Sequence, residues 1–197
     1  MLDGSDTLGR VTIAQGHPYV PLEDFLEMEP DPGTRLEWCA GLVYAMSGGS
    51  PEHSRLCSRV QSLLSPLVAA DCTIFDSQAD LWVEAAQFYG RADASVVCGA
   101  LHTHTVKRQG KTLGEAITNP VVIVEVLSPS TETRDRGEKF EAYKQMSSLK
   151  EYVLVSQTER RIEVRRRGER GWSIDVAVSG QAITVHGQAI DVDAVYR

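Results

Sequence analysis

A nearly continuous apolar stretch in the second half of the chain carries a single acidic residue. In "PVVIVEVL", residues 120–127, seven apolar positions surround Glu125. Such continuous apolar character is typical of a central strand that is covered on both faces. Burying an ionised carboxylate there costs several kcal/mol unless a partner neutralises it. The pattern therefore predicts a central strand and a partner for Glu125.

The segment before residue 50 predicts a short helix and a hairpin. The helix is expected in "VPLEDFLEME", with Pro21 in its first turn and "PDPG" after its end. The stretch "RLEWCAGLVYAMSG" predicts two strands around Ala40 and Gly41, the second rich in β-forming residues. Glu37 lies on the first of these strands.

A long helix and three strands are predicted next. Ser50 is the expected cap of the helix and Pro51 its first residue. The apolar stripe of this helix comprises Leu56, Val60, Leu63, Leu64 and Leu67. The strands are "CTIF", "DLWVEA" and "RADASVVCG", and the short turns between them suggest an antiparallel meander. Asp93 opens the last strand.

The rest of the chain adds strands around the central one. "HTHTVKRQGKTLGEA" shows no clear periodicity, and we expect a polar connection there. After the central strand we expect a loop and charged helix, a buried strand, a hairpin turning near Gly168 and a last short strand. These are "STETRDRGEKFEAYKQM", "EYVLVS", "RRIEVRRRGERGWSIDVAV" and "AITVHGQAIDVDAVYR".

This order of elements indicates an α+β fold with a mixed sheet and at least two flanking helices. The 197 residues, 42% of them hydrophobic, suit one domain with a sizeable core. We expect residues 1–19 to form an N-terminal tail, flexible in solution, and residues 20–197 to form that single domain.

Charge and cysteine usage limit the class of protein. No apolar run approaches membrane-spanning length and the N-terminus carries early acids, so we expect a cytoplasmic protein with no membrane partner. The four cysteines, which are widely spread without a C-x-x-C pair, are expected to be buried thiols. They are Cys39, Cys57, Cys72 and Cys98.

The net charge of −7 opposes non-specific coating of nucleic acid, which draws on concentrated Lys and Arg. A local basic segment nevertheless exists in "ERRIEVRRRGER", residues 159–170. It is either a solvated hairpin face with ion pairs or a surface that faces DNA, and we favour the first interpretation.

Several common sites are absent from the sequence. It contains no phosphate-binding P-loop, no G-x-G-x-x-G dinucleotide turn and no G-x-S-x-G nucleophile elbow. His102 and His104 have a spacing that suits a metal pair on a strand, but without a third ligand nearby we favour a polar loop. For His53, in the first turn of a predicted helix, we favour a structural role.

Acidic residues remain as the candidates for chemistry. Asp93 and Glu125 lie on two strands that can be neighbours in one sheet, and each would present a carboxylate. Mg²⁺ is the natural partner, because it binds one or two carboxylates together with water and phosphate oxygens. Lys139 and Tyr143 are four residues apart and share a helix face. An ammonium there could position or activate the attacking water and offset charge on phosphorus.

The run "VEVLSPST…DRGEKF…Y…SLKEYVLV", with the earlier "RLEWCAGLVYAMSGGSPEHSRL" and "DASVVC", closely resembles the Uma-two family. This group carries the label "putative restriction endonuclease" and lies within the PD-(D/E)XK nuclease superfamily, and the similarity covers roughly residues 20 to 178. It implies a restriction-endonuclease-like mixed central β-sheet flanked by helices, with an N-terminal hairpin and a C-terminal β-hairpin. It also implies acids that bind Mg²⁺, or Mn²⁺ in its place, for hydrolysis of nucleic-acid phosphodiesters.

By position, the resemblance assigns the metal ligands. Asp93 matches the Asp of the P-D element, Glu125 matches the acid on the next core strand, and the backbone carbonyl of Val126 would complete the protein's share. The superfamily's proline is Ala92 here, a change that removes no chemical group.

The resemblance also assigns three supporting residues. Lys139 matches a family lysine that comes from the helix after the strand, while Leu127 occupies the usual lysine position and supplies no charge. Glu37 matches an acid in the early hairpin, either a further ligand or a group that orients water. Tyr143 matches a helix tyrosine that would hydrogen-bond near the site.

Two functions are consistent with this sequence. The first is a Mg²⁺-dependent endonuclease that acts on nucleic acid, with DNA the expected substrate, and that forms a homodimer by analogy with nucleases that cut both strands. The second is a catalytically inactive nuclease-like module that binds nucleic acid or a protein partner, because a fold does not guarantee a function.

Overall fold

The strands form two six-stranded mixed sheets and a separate small hairpin. The structure is a computed structural model that describes residues 19–47, 49–65 and 71–197. Sheet A has the order β2 (Leu42–Ser47), β1 (Thr34–Cys39), β5 (Phe88–Arg91), β4 (Asp80–Val83), β8 (Lys111–Ile117) and β7 (Thr103–Arg108). Sheet B has the order β12 (Gly171–Val178), β11 (Arg161–Gly168), β10 (Glu151–Ser156), β9 (Val122–Leu127), β6 (Ala94–Cys98) and β3 (Cys72–Asp76). The hairpin pairs β13 (Ala182–Val185) with β14 (Gln188–Asp191).

The helices are mostly short. They are α1 (Leu22–Leu26), α2 (Pro51–Leu64), a 3₁₀ turn (Glu84–Ala86), α3 (Glu132–Arg134), a π-helical turn (Asp135–Lys139), α4 (Phe140–Tyr143) and α5 (Val192–Val195). From α3 to α4 they form one continuous helix of residues 132–143. Within the described ranges, no helix is long and apolar enough to cross a membrane.

Strand β9 is the central strand that the sequence predicts. All six of its residues are buried, and it runs parallel to β10 on one side and antiparallel to β6 on the other. Its side chains alternate between two hydrophobic clusters. Val122, Val124 and Val126 join the cluster beneath α2, whereas Ile123 and Leu127 join the cluster beneath the helix of residues 132–143. By the same alternation, Glu125 faces that helix.

Helix α2 begins as predicted. Ser50 Oγ accepts a hydrogen bond from the backbone N–H of His53 at 3.1 Å, and Pro51 is the first helical residue. Leu56, Val60 and Leu64 are buried against sheet B. Leu67, the last member of the expected stripe, lies outside the described residues.

The N-terminal hairpin is confirmed as well. Strands β1 and β2 pair along their whole length, and Ala40 and Gly41 form the turn with φ of 47° and 89°. Positive φ at both residues is the conformation that joins twisted antiparallel strands by the shortest loop. Glu37 faces the molecule's interior from β1, and it is 1% exposed.

The meander expected between residues 72 and 98 is wrong. Strand β3 pairs with β6 in sheet B, whereas β4 pairs with β5 and β8 in sheet A. The three segments therefore contribute to two sheets, because burial of each strand against distant partners outweighs pairing with the nearest neighbour in sequence.

The polar connection expected at residues 102–116 is also wrong, because the segment forms the β7–β8 hairpin. The register shifts between Val106 and Lys107, and most of β7 is exposed or half-buried at the edge of sheet A. A bulge at an exposed edge interrupts the polar and apolar alternation by which such a strand is recognised. At the C-terminus, the single strand expected in the tail is a hairpin followed by α5.

Two cysteines differ from the expectation of buried thiols. Cys72 and Cys98 lie opposite each other on β3 and β6 and are joined in a disulfide, whereas Cys39 and Cys57 are free and half-buried. The pairing of β3 with β6 was not expected from the sequence, and neither was the proximity of these two residues.

The α+β class and both terminal hairpins are confirmed, and the strands occupy two mixed sheets where one was expected. The cluster beneath the helix of residues 132–143 contains residues of both sheets, including Phe88 of β5 and Leu154 of β10. The tail expected for residues 1–19 lies outside the described residues apart from Tyr19. That residues 20–197 form a single domain stays a prediction.

Candidate functional site

A cavity of about 450 Å³ lies where β1, the end of β9, the start of α2 and the helix of residues 132–143 meet. Its wall carries eight ionisable side chains that are buried or half-buried: Arg35, Glu37, His53, Arg91, Asp93, Glu125, Asp135 and Lys139. A concave site with convergent polar groups is the usual form of a ligand or catalytic site. The partner that the sequence predicts for Glu125 should therefore lie in this cavity.

Glu125 is paired with Lys139. The Lys139 ammonium Nζ lies 2.7 Å from Glu125 Oε1, but this contact lacks hydrogen-bond geometry, so among the described residues Oε1 accepts no directed hydrogen bond. Burial raises the pKa of Glu125 well above its ordinary value, and the charge of Lys139 offsets this only in part. A second cation near Oε1 would therefore stabilise the ionised carboxylate.

Asp93 lies immediately before β6. The β6–β9 register, in which Ala94 faces Val124, brings it next to Glu125. Its Oδ2 accepts a hydrogen bond of 2.7 Å from the Val126 backbone N–H, and its Oδ1 is 3.1 Å from His53 Nε2. Burial acts to raise the pKa of Asp93, but the His53 contacts and the Val126 N–H outweigh it and leave the pKa below its ordinary value. Asp93 is therefore an ionised acid beside Glu125.

Lys139 is the centre of the charged cluster. Besides Glu125, its Nζ is 3.3 Å from Glu37 Oε1 and 3.6 Å from Asp135 Oδ1, and it donates a hydrogen bond of 2.9 Å to the Arg91 carbonyl oxygen. Burial acts to lower the pKa of Lys139, yet the surrounding acids raise it well above its ordinary value. The helix lysine thus reaches the strand acid as the sequence predicts, and it stays protonated.

Glu37 is fixed by two cations. Besides Lys139, Arg134 donates a hydrogen bond to Glu37 Oε2, and the Arg134 guanidinium lies 4.1 Å from the ring centroid of Tyr44. Burial acts to raise the pKa of Glu37, but the two cations and the Arg91 N–H bring it below its ordinary value. Glu37 is therefore ionised and held in one orientation.

The π-helical turn of residues 135–139 contributes two side chains to the cavity. Asp135 and Lys139, four residues apart, both line it and pair with each other, whereas the preceding Arg134 pairs with Glu37. Single π turns occur frequently at functional sites. One short helix thus supplies two cations and one acid to the cluster.

Tyr143 lies beneath the cavity. Its ring centroid is 5.9 Å from Lys139 Nζ, and its ring meets that of Phe88 edge to face at 5.3 Å. The hydroxyl is buried and has no hydrogen-bond partner within the described part of the chain. The structure thus places Tyr143 behind Lys139, without the hydrogen bond that the sequence comparison suggests.

Comparison with known proteins identifies the family. The family described as "Uma2: Putative restriction endonuclease" matches residues 22–191 of the chain. The chain belongs to the Uma2 family. Two relatives from Synechocystis sp. (strain ATCC 27184 / PCC 6803 / Kazusa) are similar along most of their length. Uncharacterized protein slr1290 is 34% identical over 184 residues, which cover 91% of this chain and 93% of the relative. Uncharacterized protein sll1609 is 30% identical over 152 residues, which cover 76% and 82%.

A solved structure shares the fold of this Uma2 chain. It is the crystal structure of "a putative nuclease belonging to DUF820" from Anabaena variabilis ATCC 29413. The TM-score is 0.65 at 14% sequence identity, and the match covers 90% of this chain and 97% of the other. This likeness confirms the restriction-endonuclease-like fold that the sequence suggested.

Three residues of the candidate site were not expected from the sequence. Asp135 is four residues before Lys139 on a predicted helix, so the shared face was a signal that it would join the site. Arg134 and His53 gave no such signal, and the structural role favoured for His53 leaves out its contact with Asp93. His104 does not join the cavity: it lies on β7 and stacks on Trp82, with ring centroids 5.0 Å apart.

The donor set fits a divalent cation. Four carboxylates, those of Glu37, Asp93, Glu125 and Asp135, belong to the cluster, against the two permanent cations Lys139 and Arg134. With all six ionised, two negative charges are in excess before Arg35, which also lines the cavity, and any proton on His53 are counted. Carboxylate oxygens are the ligands that Mg²⁺ prefers, and Glu125 Oε1 is a buried acceptor without a hydrogen bond.

Proposed function

We propose that this Uma2 chain is a metal-dependent endonuclease that hydrolyses phosphodiester bonds of nucleic acid, with DNA as the expected substrate. One observation carries the proposal: Asp93 and Glu125 lie side by side in the cavity, and Lys139 reaches Glu125 from the following helix. One acid on a strand, another at the start of the adjacent strand and a nearby ammonium form the combination that phosphodiester hydrolysis with a divalent cation requires.

Asp93, Glu125 and the Val126 carbonyl would hold the cation. Asp93 is oriented by the Val126 N–H, and each of its oxygens retains a lone pair beyond the one in its present contact. Mg²⁺, or Mn²⁺ in its place, would polarise the scissile phosphate and lower the pKa of a bound water. The excess negative charge of the cluster supports this assignment.

Lys139 would act through its charge. Because the surrounding acids raise its pKa, it holds its proton and is unsuited to the role of general base at neutral pH. Its ammonium would position the attacking water and stabilise negative charge that develops on the phosphate oxygens. Glu37 would orient Lys139 from the opposite side, and the Tyr143 ring would support it from beneath.

Arg35 is the residue that we assign to the substrate phosphate. It lines the cavity, and among the described residues no carboxylate lies within ion-pair distance of its guanidinium. Arg35 and Glu37 are two residues apart on β1 and so share a face of the strand. A guanidinium that lies beside the acids and has no carboxylate partner in the described part of the chain suits bidentate contact with a phosphate group.

The test is cleavage of DNA and RNA, single- and double-stranded, with Mg²⁺ or Mn²⁺. Asp93→Asn with Glu125→Gln keeps the side-chain shapes and removes both charges, so we expect cleavage to fall to background. Glu141→Gln, on the exposed face of the same helix, is the matched control and should cleave like the natural chain. Equal cleavage by the double variant and the natural chain would refute the proposal, because the activity would then come from a contaminating nuclease.

The inactive nucleic-acid- or protein-binding module remains the second candidate. The observation in its favour is that Lys139 already lies within ion-pair distance of three carboxylates, so these acids have a cation without any metal. Calorimetric titration with Mn²⁺ separates the two. Binding that disappears in the Asp93→Asn, Glu125→Gln variant supports the enzyme, and absence of binding supports the module. Sedimentation of the same samples tests the homodimer.

A further inference from the structure

A second cluster of potential metal ligands lies outside the cavity. Cys72 and Cys98 face each other across β3 and β6, and His186 forms the turn between β13 and β14. His186 Nε2 is 3.8 Å from Cys72 Sγ and 3.7 Å from Cys98 Sγ. All three residues are half-buried, so solvent reaches the cluster.

The backbone holds His186 in this place independently of its imidazole. His186 and Gly187 form a two-residue turn with φ of 51° and 80°, and the His186 N–H donates a hydrogen bond of 2.7 Å to Glu151 Oε2. Glu151 Oε1 in turn accepts one of 2.9 Å from Arg166 Nε. Val185 beside the turn is buried in the core of sheet B. The ring is therefore presented to the two sulfurs by a fixed turn.

We propose that, when the disulfide is reduced, Cys72, Cys98 and His186 bind Zn²⁺ through two thiolates and Nε2. Zinc with two sulfur ligands and one imidazole in tetrahedral geometry needs each S···N distance to be about 3.6 Å. The two distances in the structure are 3.8 and 3.7 Å, so the imidazole is already at ligand separation from both sulfurs. Only the two sulfurs have to separate, to about 3.8 Å, by rotation of the cysteine side chains. The fourth position is left to water.

Reduction of the disulfide and binding of Zn²⁺ are two separate steps. A dithiol reductant gives two electrons and two protons to the Cys72–Cys98 disulfide and becomes a disulfide itself. Zn²⁺ then binds the sulfurs as thiolates and releases both thiol protons to solvent. The chain therefore exchanges one covalent link between β3 and β6 for a metal link that also includes the C-terminal hairpin.

The proposed zinc site is chemically distinct from the carboxylate cavity. Thiolate and imidazole select Zn²⁺ and similar metals, whereas carboxylates select Mg²⁺ and Mn²⁺. The proposal therefore does not depend on the proposed nuclease activity. Positions 72, 98 and 186 are far apart in sequence and form no spaced motif. The cluster is therefore recognised only once the pairing of the strands is known.

The experiment uses Co²⁺ as a coloured substitute for Zn²⁺ on the dithiol-reduced full chain. We expect thiolate-to-cobalt charge-transfer absorption that added Zn²⁺ removes. Cys72→Ser with Cys98→Ser should lose this absorption. The matched pair Cys39→Ser with Cys57→Ser, which removes the two free cysteines, should keep it. No absorption in the reduced natural chain, or equal absorption in both double variants, would refute the site.

His186→Asn tests the third ligand. Asparagine also tolerates a positive φ, so the turn should survive, which thermal unfolding of the reduced, metal-free chain checks. We expect Zn²⁺ affinity, measured by competition with a chelator, to fall at least roughly tenfold. An unchanged affinity in a folded His186→Asn variant would show that the imidazole is no ligand and overturn the proposed site.

Discussion

Lys139 is the common ion-pair partner of three carboxylates. Its ammonium lies within 3.6 Å of a carboxylate oxygen of Glu37, Glu125 and Asp135, and all four side chains are buried. A buried ion network of this kind is weak support for stability while it is complete, but it is costly to break. Without Lys139, Glu37 would keep only Arg134, and Glu125 and Asp135 would have no cation within ion-pair distance among the described residues.

Replacing Lys139 by methionine should therefore destabilise the chain strongly. We expect Lys139→Met to lower the free energy of unfolding by about 3–5 kcal/mol, because three acids lose their common cation. Lys144→Met is the matched control: Lys144 pairs with Glu141 on the exposed helix surface, and its loss should cost about 0–1 kcal/mol. Urea unfolding at neutral pH measures both. Similar losses in the two variants would show that the network is not a buried, interdependent unit.

Glu125 gives the metal-free protein a distinctive pH dependence. Because its pKa in the folded chain is raised above the ordinary 4.5, the folded chain keeps a proton that the unfolded chain releases as pH rises above that value. The free energy of unfolding should then decrease between about pH 4.5 and the raised pKa. Glu125→Gln should lack this decrease, so the two curves should diverge with rising pH. Parallel curves in urea unfolding with a chelator present would contradict the raised pKa.

Magnesium should reverse this loss in the natural chain alone. At ten times its Kd, a cation that binds only the folded state adds about 1.4 kcal/mol to the free energy of unfolding. Glu125→Gln, which lacks one ligand charge, should gain much less at the same Mg²⁺ concentration. Equal stabilisation of both proteins would mean that the cation binds elsewhere.

At the scale of elements, one glycine lies in the π-helical turn and another in strand β5, and the free space around these two residues differs. A Cβ on Gly137, in the π turn, would meet nothing within 4 Å, whereas one on Gly90, in β5, would lie 2.6 Å from Phe88 Cζ and 3.1 Å from Glu37 Cδ. The strand is packed directly against the charged cluster, and the outer side of the turn is open.

Alanine at these two positions should have opposite effects. Gly137→Ala should raise the free energy of unfolding by about 0.5–1 kcal/mol, because alanine loses less backbone freedom in a helix than glycine. Gly90→Ala should lower it by about 1–3 kcal/mol by overpacking, and it should displace Glu37. Thermal unfolding compares the two, and cleavage should survive in the first variant only. A destabilised Gly137→Ala variant would show that the turn is tighter than the structure indicates.

The sequence predicts elements whose pattern is local. Strand β9 was predictable because its six consecutive buried residues are apolar except for Glu125, and α2 because its cap and stripe are local. The β7–β8 hairpin and the pairing of β3 with β6 were not, since an exposed bulged strand loses its alternation and pairing depends on distant partners.

The same distinction applies to the site. Asp93, Glu125 and Lys139 were predicted because a carboxylate in an apolar strand needs a partner and because the family resemblance ordered the candidates. Arg134 and His53 are ordinary residues of helix ends, and only the packing of α2 and the π turn around the cavity gives them contacts. Their part in the site depends on tertiary structure alone.

At the scale of the whole molecule, a net charge of −7 sets how nucleic acid can approach. The arginines of β11 are largely occupied: Arg165 and Arg166 pair with Glu163 and Glu151, and Arg167 donates to backbone carbonyls. This agrees with the ion-paired hairpin face that the sequence favoured. Attraction to phosphate is therefore expected at the cavity, where Arg35 has no such partner within the described ranges.

Arg35→Ala should weaken nucleic-acid binding and its salt dependence. Loss of one phosphate contact should reduce the slope of log affinity against log salt by about 1. Arg170→Ala, in the turn after β11 and away from the cavity, removes the same charge from the molecule and should leave the slope nearly unchanged. Binding to a short duplex, followed by fluorescence anisotropy at several salt concentrations with Ca²⁺ present, measures both. Equal slopes for the two variants would rule out Arg35 as a phosphate contact.

The cavity draws Glu37 from one sheet, Asp93 and Glu125 from neighbouring strands of the other, and Lys139 from the helix that follows. No fragment of the chain that ends before residue 139 contains the complete set, and neither does a chain whose sheets have not yet packed together. Under the proposed function, cleavage begins only after most of the polypeptide has been synthesised and folded. If that function holds, incomplete copies of the chain would leave the nucleic acid of the host intact.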